Sequence, residues 1–303
     1  MAIKKLPSTG DAPRTTGVPE SLVPGGAVDS AGFPWEGRSF DHHGTAYADD
    51  DGATPERVAA AVAELRAAAA DAAAATSAAT HWEAVARIAA AHTRVILALG
   101  TSRVLVPMLA EAGDVGVTPE GKTVEKTQEL SIVTVAAPDG RRVLPVFSSV
   151  ETLGRWHEEA RPIPVPATQA ALAAVQELTD LIILDAATPE LEYGIRRPAL
   201  RALALGETYV PAWADEAVLA AFRAAVTSEP AVADLWLSPG DPEGRLIAPE
   251  VDVNLKLTPG LDREALIALL ERAQSRWAAS ETIAERVDSM RLRPIADQPN
   301  AGK

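Results

Sequence analysis

Side chains able to do acid–base, nucleophilic or metal chemistry occur in this chain, but seldom at spacings which that chemistry uses. The five histidines stand at 42, 43, 81, 92 and 157, and no interval among them suggests a catalytic triad. His81-x-Glu83 matches half of a zinc-deaminase signature, and the other half cannot exist because the chain has no cysteine. The same lack removes thiol nucleophiles, disulfides, iron–sulfur clusters and thiolate zinc sites. Asp49-Asp50-Asp51-Gly52 invites a calcium loop, but placing Gly52 sixth puts Tyr47 first and Val58 twelfth, where oxygen ligands are required. A solvated acidic turn is the expectation there. A Gly-rich phosphate loop, a nucleophile elbow and a zinc-binding helix are not expected either. Ser148 and Ser149 could serve a hydrolase, yet Ser148-x-x-Glu151 already reads as a helix-capping box. No catalytic residue, metal ligand or cofactor is therefore expected, and the chain reads as a non-enzymatic interaction or regulatory protein.

Binding is a better prospect than catalysis, at three polar groups. Lys126, Gln128 and Glu129 lead into an apolar strand, and Arg141 with Arg142 leaves the turn that follows it. Arg196, Arg197 and Arg201 make a basic island on an acidic protein. Arginine forks suit carboxylates and phosphates and often anchor interfaces. These charges either cap strand ends and pair with nearby acids, or form a surface for a protein partner with an acidic face. As an alternative, Lys126, Gln128, Glu129 and Arg197 could line a pocket for an amino acid or another small anion, making the chain a sensor.

Composition limits the partners. With 28 Lys and Arg against 42 Asp and Glu, the net charge is −14, which opposes nucleic acid and anionic membranes. No run approaches the roughly 18–20 apolar residues of a membrane span. Near the N-terminus, Pro7, Ser8, Thr9, Gly10 and Asp11 stand where a signal peptide needs an apolar core, so a cytoplasmic location is expected. At 303 residues, 47% hydrophobic, the chain can build a core without metal or disulfide.

The elements that must position these groups follow from periodicity. Residues 1–52, rich in Pro, Gly, Ser and Thr, read as a disordered tail, with Phe33-Pro34-Trp35 as a segment that clips onto its own domain or docks on a partner. Thr54-Pro55-Glu56 and Thr80-His81-Trp82-Glu83 read as two helix starts, with Val85, Ile88, His92, Val95 and Leu99 on one stripe of the second. Arg103–Leu109 reads as a strand that Pro107 confines to an edge or bulge. The central feature is a hairpin, Ser131–Ala137 and Val143–Phe147 about the turn Pro138-Asp139-Gly140, running into a helix with Val150, Leu153 and Trp156 inward. Beyond it, strands and short helices alternate to Gly206, as expected of an α/β layer around a mixed sheet with covering helices. Residues 53–210 are taken as that domain and 211–228 as a connecting helix. Residues 229–296 are taken as a smaller two-layer α+β domain, in which Val251, Val253, Leu255 and Leu257 alternate with a wet face. Residues 297–303 are taken as a tail.

KTQELSIVTV, RRVLPVFSSVETLGRW and RRPALRALALG together resemble the SseB family in its actinobacterial form, and LTPGLDREALIALL with AERVDSMRLRPI resembles the separate C-terminal domain of that family. The resemblance spans roughly residues 95–210 and 229–296. It implies the two-domain architecture and no catalytic residues, so the binding assignments rest on the residues alone.

Overall fold

The computed structural model describes residues 47–112, 115–117, 123–125, 128–132, 134–136, 140–177 and 179–296, with backbone only between 110 and 132 and at 136. The chain divides into two compact units, Met1–Asp50 and Asp51–Lys303. In the first, the described residues form a turn closed by the Asp50 N–H on the Tyr47 carbonyl. Phe33, Pro34, Trp35, His42 and His43 lie outside the described residues, as do 297–303. The second unit is a mixed α+β structure.

It opens with a helical hairpin, α1 (Glu56–Ala74) and α2 (Ala78–Gly100). Val58, Val62 and Leu65 of α1 and Val85, Ile88, Val95 and Leu99 of α2 are buried, as the helical stripe requires. Both helix starts differ from expectation. Thr54 does not cap α1, because its hydroxyl is 2.8 Å from the Ser148 hydroxyl, far along the chain. The capping box of α2 is Ser77 with Thr80, so the helix begins before His81.

Prolines then decide how the strands are shared out. β1 (Arg103–Ala112) is central in a three-stranded antiparallel sheet, between β4 (Gln128–Ile132) and β7 (Arg161–Pro166). A second sheet runs β5 (Val135–Ala136), β6 (Arg142–Val146), β8 (Leu181–Leu184) and β9 (Tyr193–Ile195), with β6 and β8 parallel. One bridge joins the two sheets: Leu105 and Phe147 exchange both backbone hydrogen bonds, at 2.7 and 2.9 Å. Counting outward from it, the next hydrogen-bonding pair would be Pro107 opposite Pro145, and neither has an N–H. The ladder stops after one bridge, and β4 takes over β1 from Met108. Pro107 thus sits in a central strand, contrary to the expectation of an edge or bulge, because its bare nitrogen faces this gap. Pro162, Pro164 and Pro166 of β7 have the same parity and point their nitrogens away from β1, leaving that sheet edge unable to donate to a further strand. The expected first strand of the hairpin is accordingly split, β4 pairing with β1 and β5 with β6, while Gly140 in the turn takes φ +84°.

α3 (Val150–Trp156) follows β6, and its capping box is Ser149 with Thr152 rather than Ser148 with Glu151. Leu153 is buried and Trp156 packs on Phe147, whereas Val150 is exposed. α4 (Ala167–Gln176) and α5 (Arg197–Leu205) pack beside each other, and Gly206 ends α5 at φ +68°. A 3₁₀ turn (Ala212–Ala214) and α6 (Glu216–Val226), capped by Asp215, lead into the last sheet. There β10 (Val232–Pro239) is antiparallel and β12 (Met290–Ala296) parallel to the central β11 (Val251–Leu257). α7 (Arg263–Ala278) and α8 (Glu281–Arg286) start at the caps Asp262 and Ser280, residue types suited to a helix N-terminus. Asp252 and Asn254, expected on a wet face, are buried: Asp252 is paired with Arg291 and Arg293, and Asn254 donates to Ser238. No helix among the described residues is long and apolar enough to cross a membrane.

A continuous apolar core links these three sheets, running from Val58 and Leu99 through Val104, Ile182, Ile195 and Leu200 to Val253, Phe222 and Trp277. The Trp277 ring lies 5.3 Å from that of Phe222, and its N–H donates to the Phe222 carbonyl. Trp277→Ala is expected to lower stability by about 3–5 kcal/mol. In urea unfolding followed by circular dichroism it should shift the whole of one transition, since the core is shared; a shift of only one of two resolved transitions would contradict this.

Candidate functional site

The densest cluster of ionisable side chains lies where the last sheet meets the helical and sheet elements before it. Arg196 follows β9, and its guanidinium donates to Asp241 at 2.6 Å, to the Ala248 carbonyl at 2.7 Å, and to Asp288 and Ser289, each at 3.1 Å. The three charged side chains are 6%, 1% and 5% exposed, so this arginine is an interior ion pair. Arg141, just before β6, adds a second guanidinium to Asp288 at 3.0 Å. Arg197 donates to the carbonyls of Ala284 and Val287 at the end of α8, where a cation also meets the negative end of the helix dipole.

The acids come from a loop, residues 240–250, that joins β10 to β11 and docks against β9 and α2. Asp241 accepts the backbone N–H groups of Arg245 and Leu246, which folds the loop around its carboxylate. Gly194 donates to the Gly244 carbonyl at 2.6 Å, and Arg66 of α1 donates to the carbonyls of Glu192 and Glu243. A Cβ on Gly194 would overlap the Leu246 side chain, and one on Gly244 would press on Tyr193. His92 completes the lock. Its Nε2 can only donate to the Pro242 carbonyl (3.1 Å), so Nδ1 accepts from the Tyr193 hydroxyl (2.9 Å). Burial pushes this imidazole down to about 4, so it stays neutral.

Glu250 is the sensitive member. Its carboxylate accepts the Asp288 N–H at 2.8 Å and lies 3.4 Å from the Tyr209 hydroxyl. Burial drives its carboxyl up to about 7, aided by the Asp288 charge and opposed by the Asp288 N–H bond and Arg196. A cavity of about 10 Å³ lies among His92, Tyr193, Tyr209, Arg196 and Glu250, which is room for about one water. Such a site can hold charge and relay strain. It has no space for a substrate.

The sequence-based candidates are distributed as follows. Lys126 lies outside the described residues. Gln128 and Glu129 stand in β4, in register with Ala112 and Glu111 of β1. Arg141, Arg196 and Arg197 are held by the chain's own carboxylates and carbonyls, the first of the two alternatives that the sequence left open for them. Arg142 is exposed, with its backbone N–H on Asp180, and Arg201 faces solvent on α5. Ser148 and Ser149 are buried and structural: the Ser148 N–H and the Thr152 hydroxyl donate to Asp185 at 2.8 and 2.5 Å. Asp185 ends β8 at φ +50°, and burial raises its carboxyl above the usual range.

Gly116-Val117-Thr118-Pro119-Glu120-Gly121-Lys122-Thr123 does fit GxxxxGK[ST], contrary to the expectation that no such loop occurs. The phosphate-binding version leads from a strand into a helix whose N-terminal amides hold the anion. Here Gly116 lies in β2 (Val115–Val117) and Thr123 in β3 (Thr123–Glu125), an antiparallel pair with Val117 opposite Thr123. A strand follows the motif where the phosphate loop requires a helix.

Asp241, Glu250 and Asp288 were missed as site residues. Each sits in a turn rich in Gly, Pro or Ser, where an acid has a local role and its long-range one leaves no pattern. Fold and site together define an α+β protein whose last sheet is pinned to the elements before it by a buried charge network. Residues 58–202 match the family model described as SseB protein N-terminal domain, which supports an SseB family protein over that segment. No curated protein and no solved structure matches the chain. The matched segment ends six residues beyond Arg196, so the arginines lie within it and their acidic partners beyond it.

Two outcomes follow for the network. Arg196→Met leaves Asp241 and Asp288 buried with one cation fewer, and should cost about 3–5 kcal/mol in chemical denaturation. Glu250 has a raised folded-state pKa, so the folded protein retains a proton that the unfolded chain has lost. Stability from this group is complete below about 4.5, falls as pH rises to about 7, and is constant above that. The fall is about 3 kcal/mol. The groups facing Glu250 are Asp288, Arg196, Tyr193 and Tyr209. Denaturation midpoints between pH 4.5 and 8 should show that fall, and Glu250→Gln should flatten it; an identical profile in the variant would rule Glu250 out as its source.

Proposed function

We propose that this SseB family chain is a non-enzymatic interaction or regulatory protein of the cytoplasm. One observation carries the reading: the described residues best suited to chemistry are held by internal contacts, and the charged junction about Arg196 has room for about one water. Ser148 and Ser149 hold a strand end and a helix start, and the histidine with the richest polar surroundings, His92, is neutral and doubly bonded. The anion-sensor alternative has less support, because Arg197 bonds to the end of α8 and does not line the small cavity beside Arg196.

A partner with an acidic surface would be met by the exposed arginines of α5, Arg201 and Arg197, of which Arg197 also bonds to α8, rather than by the buried Arg196. Affinity purification of the full chain from native lysate should return a stoichiometric partner. Arg201→Glu should lower its recovery by about fivefold, the effect of a rim charge worth roughly 1 kcal/mol. Absence of any stoichiometric partner, together with turnover in a broad hydrolase screen, would reverse the assignment.

A further inference from the structure

The gap between the first two sheets is a built feature with chemistry of its own. Beside the point where Pro107 and Pro145 stop the β1–β6 ladder, a cavity of about 190 Å³ lies between the strands and α4. Among the described residues its walls are Val106 and Met108 of β1, Leu144 of β6, and Ile163 and Val165 of β7. α4 closes one side with alanines at 170, 173 and 174, whose short side chains leave the space unfilled. The gap cannot close by strand pairing, because the two residues that would have to donate are both prolines. Ile163, at one wall, is 39% exposed, so the cavity reaches solvent.

We infer that this cavity is a binding site for a small uncharged apolar molecule, or for the short alkyl or aromatic end of one. Three observations select that class. The described lining is apolar apart from Thr134, Gln169, Glu177 and Thr179, and contains no lysine, arginine or histidine, so nothing there compensates an anion. Its one charged residue is Glu177, on a chain whose net charge is −14, which further disfavours anionic ligands. The volume exceeds the roughly 150 Å³ of an apolar cavity that stays dry and admits benzene, and falls below the roughly 300 Å³ where drug-sized pockets begin. The inference goes beyond the interaction reading and does not rest on it.

The full chain titrated with benzene and with 1-hexanol, and followed by amide NMR shifts, tests it. Saturable shifts on β1, β6, β7 and α4 are expected, with a Kd on the order of 1 mM or tighter. Hexanoate, which carries a comparable tail on a carboxylate, should bind at least about tenfold more weakly. Ala173→Leu fills the cavity from an exposed helix position and should abolish the shifts while leaving the circular dichroism and thermal midpoint near those of the parent. Ile163→Ala serves as a second variant, widening the mouth without blocking it, and should retain benzene binding. Absence of saturable shifts with both probes, equal binding of hexanoate, or full binding by a folded Ala173→Leu variant would each overturn the inference. So would a dimer in sedimentation that Ala173→Leu dissociates, with no probe binding, which would assign the cavity to a second copy of the chain.

Discussion

The arrangement depends above all on one buried guanidinium. Arg196 sits between Asp241 and Asp288 with almost no solvent on any of the three, and a charge so placed is tolerable only if its hydrogen-bonding capacity is met. Meeting it requires the 240–250 loop to present a carboxylate and the Ala248 carbonyl, and the segment before β12 to present Asp288 and Ser289. Both segments belong to the last sheet, while Arg196 belongs to the end of β9. The network therefore fixes the orientation of one sheet against the other, a job the non-directional apolar core cannot do alone. Gly194 and Gly244 permit the close approach, and neutral His92 supplies the last donor.

Proline placement does for the first two sheets what Arg196 does for the third. Pro107 and Pro145 withdraw a pair of donors at one register position, so β1 changes partner and the sheets diverge there. The apolar cavity lies beside that point, over the alanines of α4. The outer prolines of β7 act differently, leaving an edge that cannot recruit another strand. One residue type thus has two consequences, set by which side of the strand its nitrogen faces.

Much of the local structure was legible. The stripes of α1 and α2, the caps Asp215, Asp262 and Ser280, and the end of α5 at Gly206 follow from rules spanning four or five residues, and the structure keeps them. Errors fell where a side chain had a distant claim on it. Thr54 looks like a cap and bonds to Ser148, and Ser148 looks like a cap but bonds through its N–H to Asp185. The candidate site shows the same limit. The arginine cluster was visible as a charge island, but its acids lie about 45 and 92 positions away, in turns that disguise them. The GxxxxGK[ST] pattern shows the converse: the letters fit, and the strand that follows them removes the helix they would need.

The sequence by itself determined the α+β class, the SseB family resemblance and most of the helices and strands. Those properties depend on periodicity, capping and composition, which act within a few residues of one another. Only the tertiary structure decided that Arg196 and Arg197 are spent on the chain's own carboxylates and carbonyls, that Pro107 lies at the centre of a sheet, and that an apolar cavity stands open beside it. The reason is physical: burial, charge pairing and strand partnership are relations between distant segments, and desolvation gives them an energy that no local pattern records.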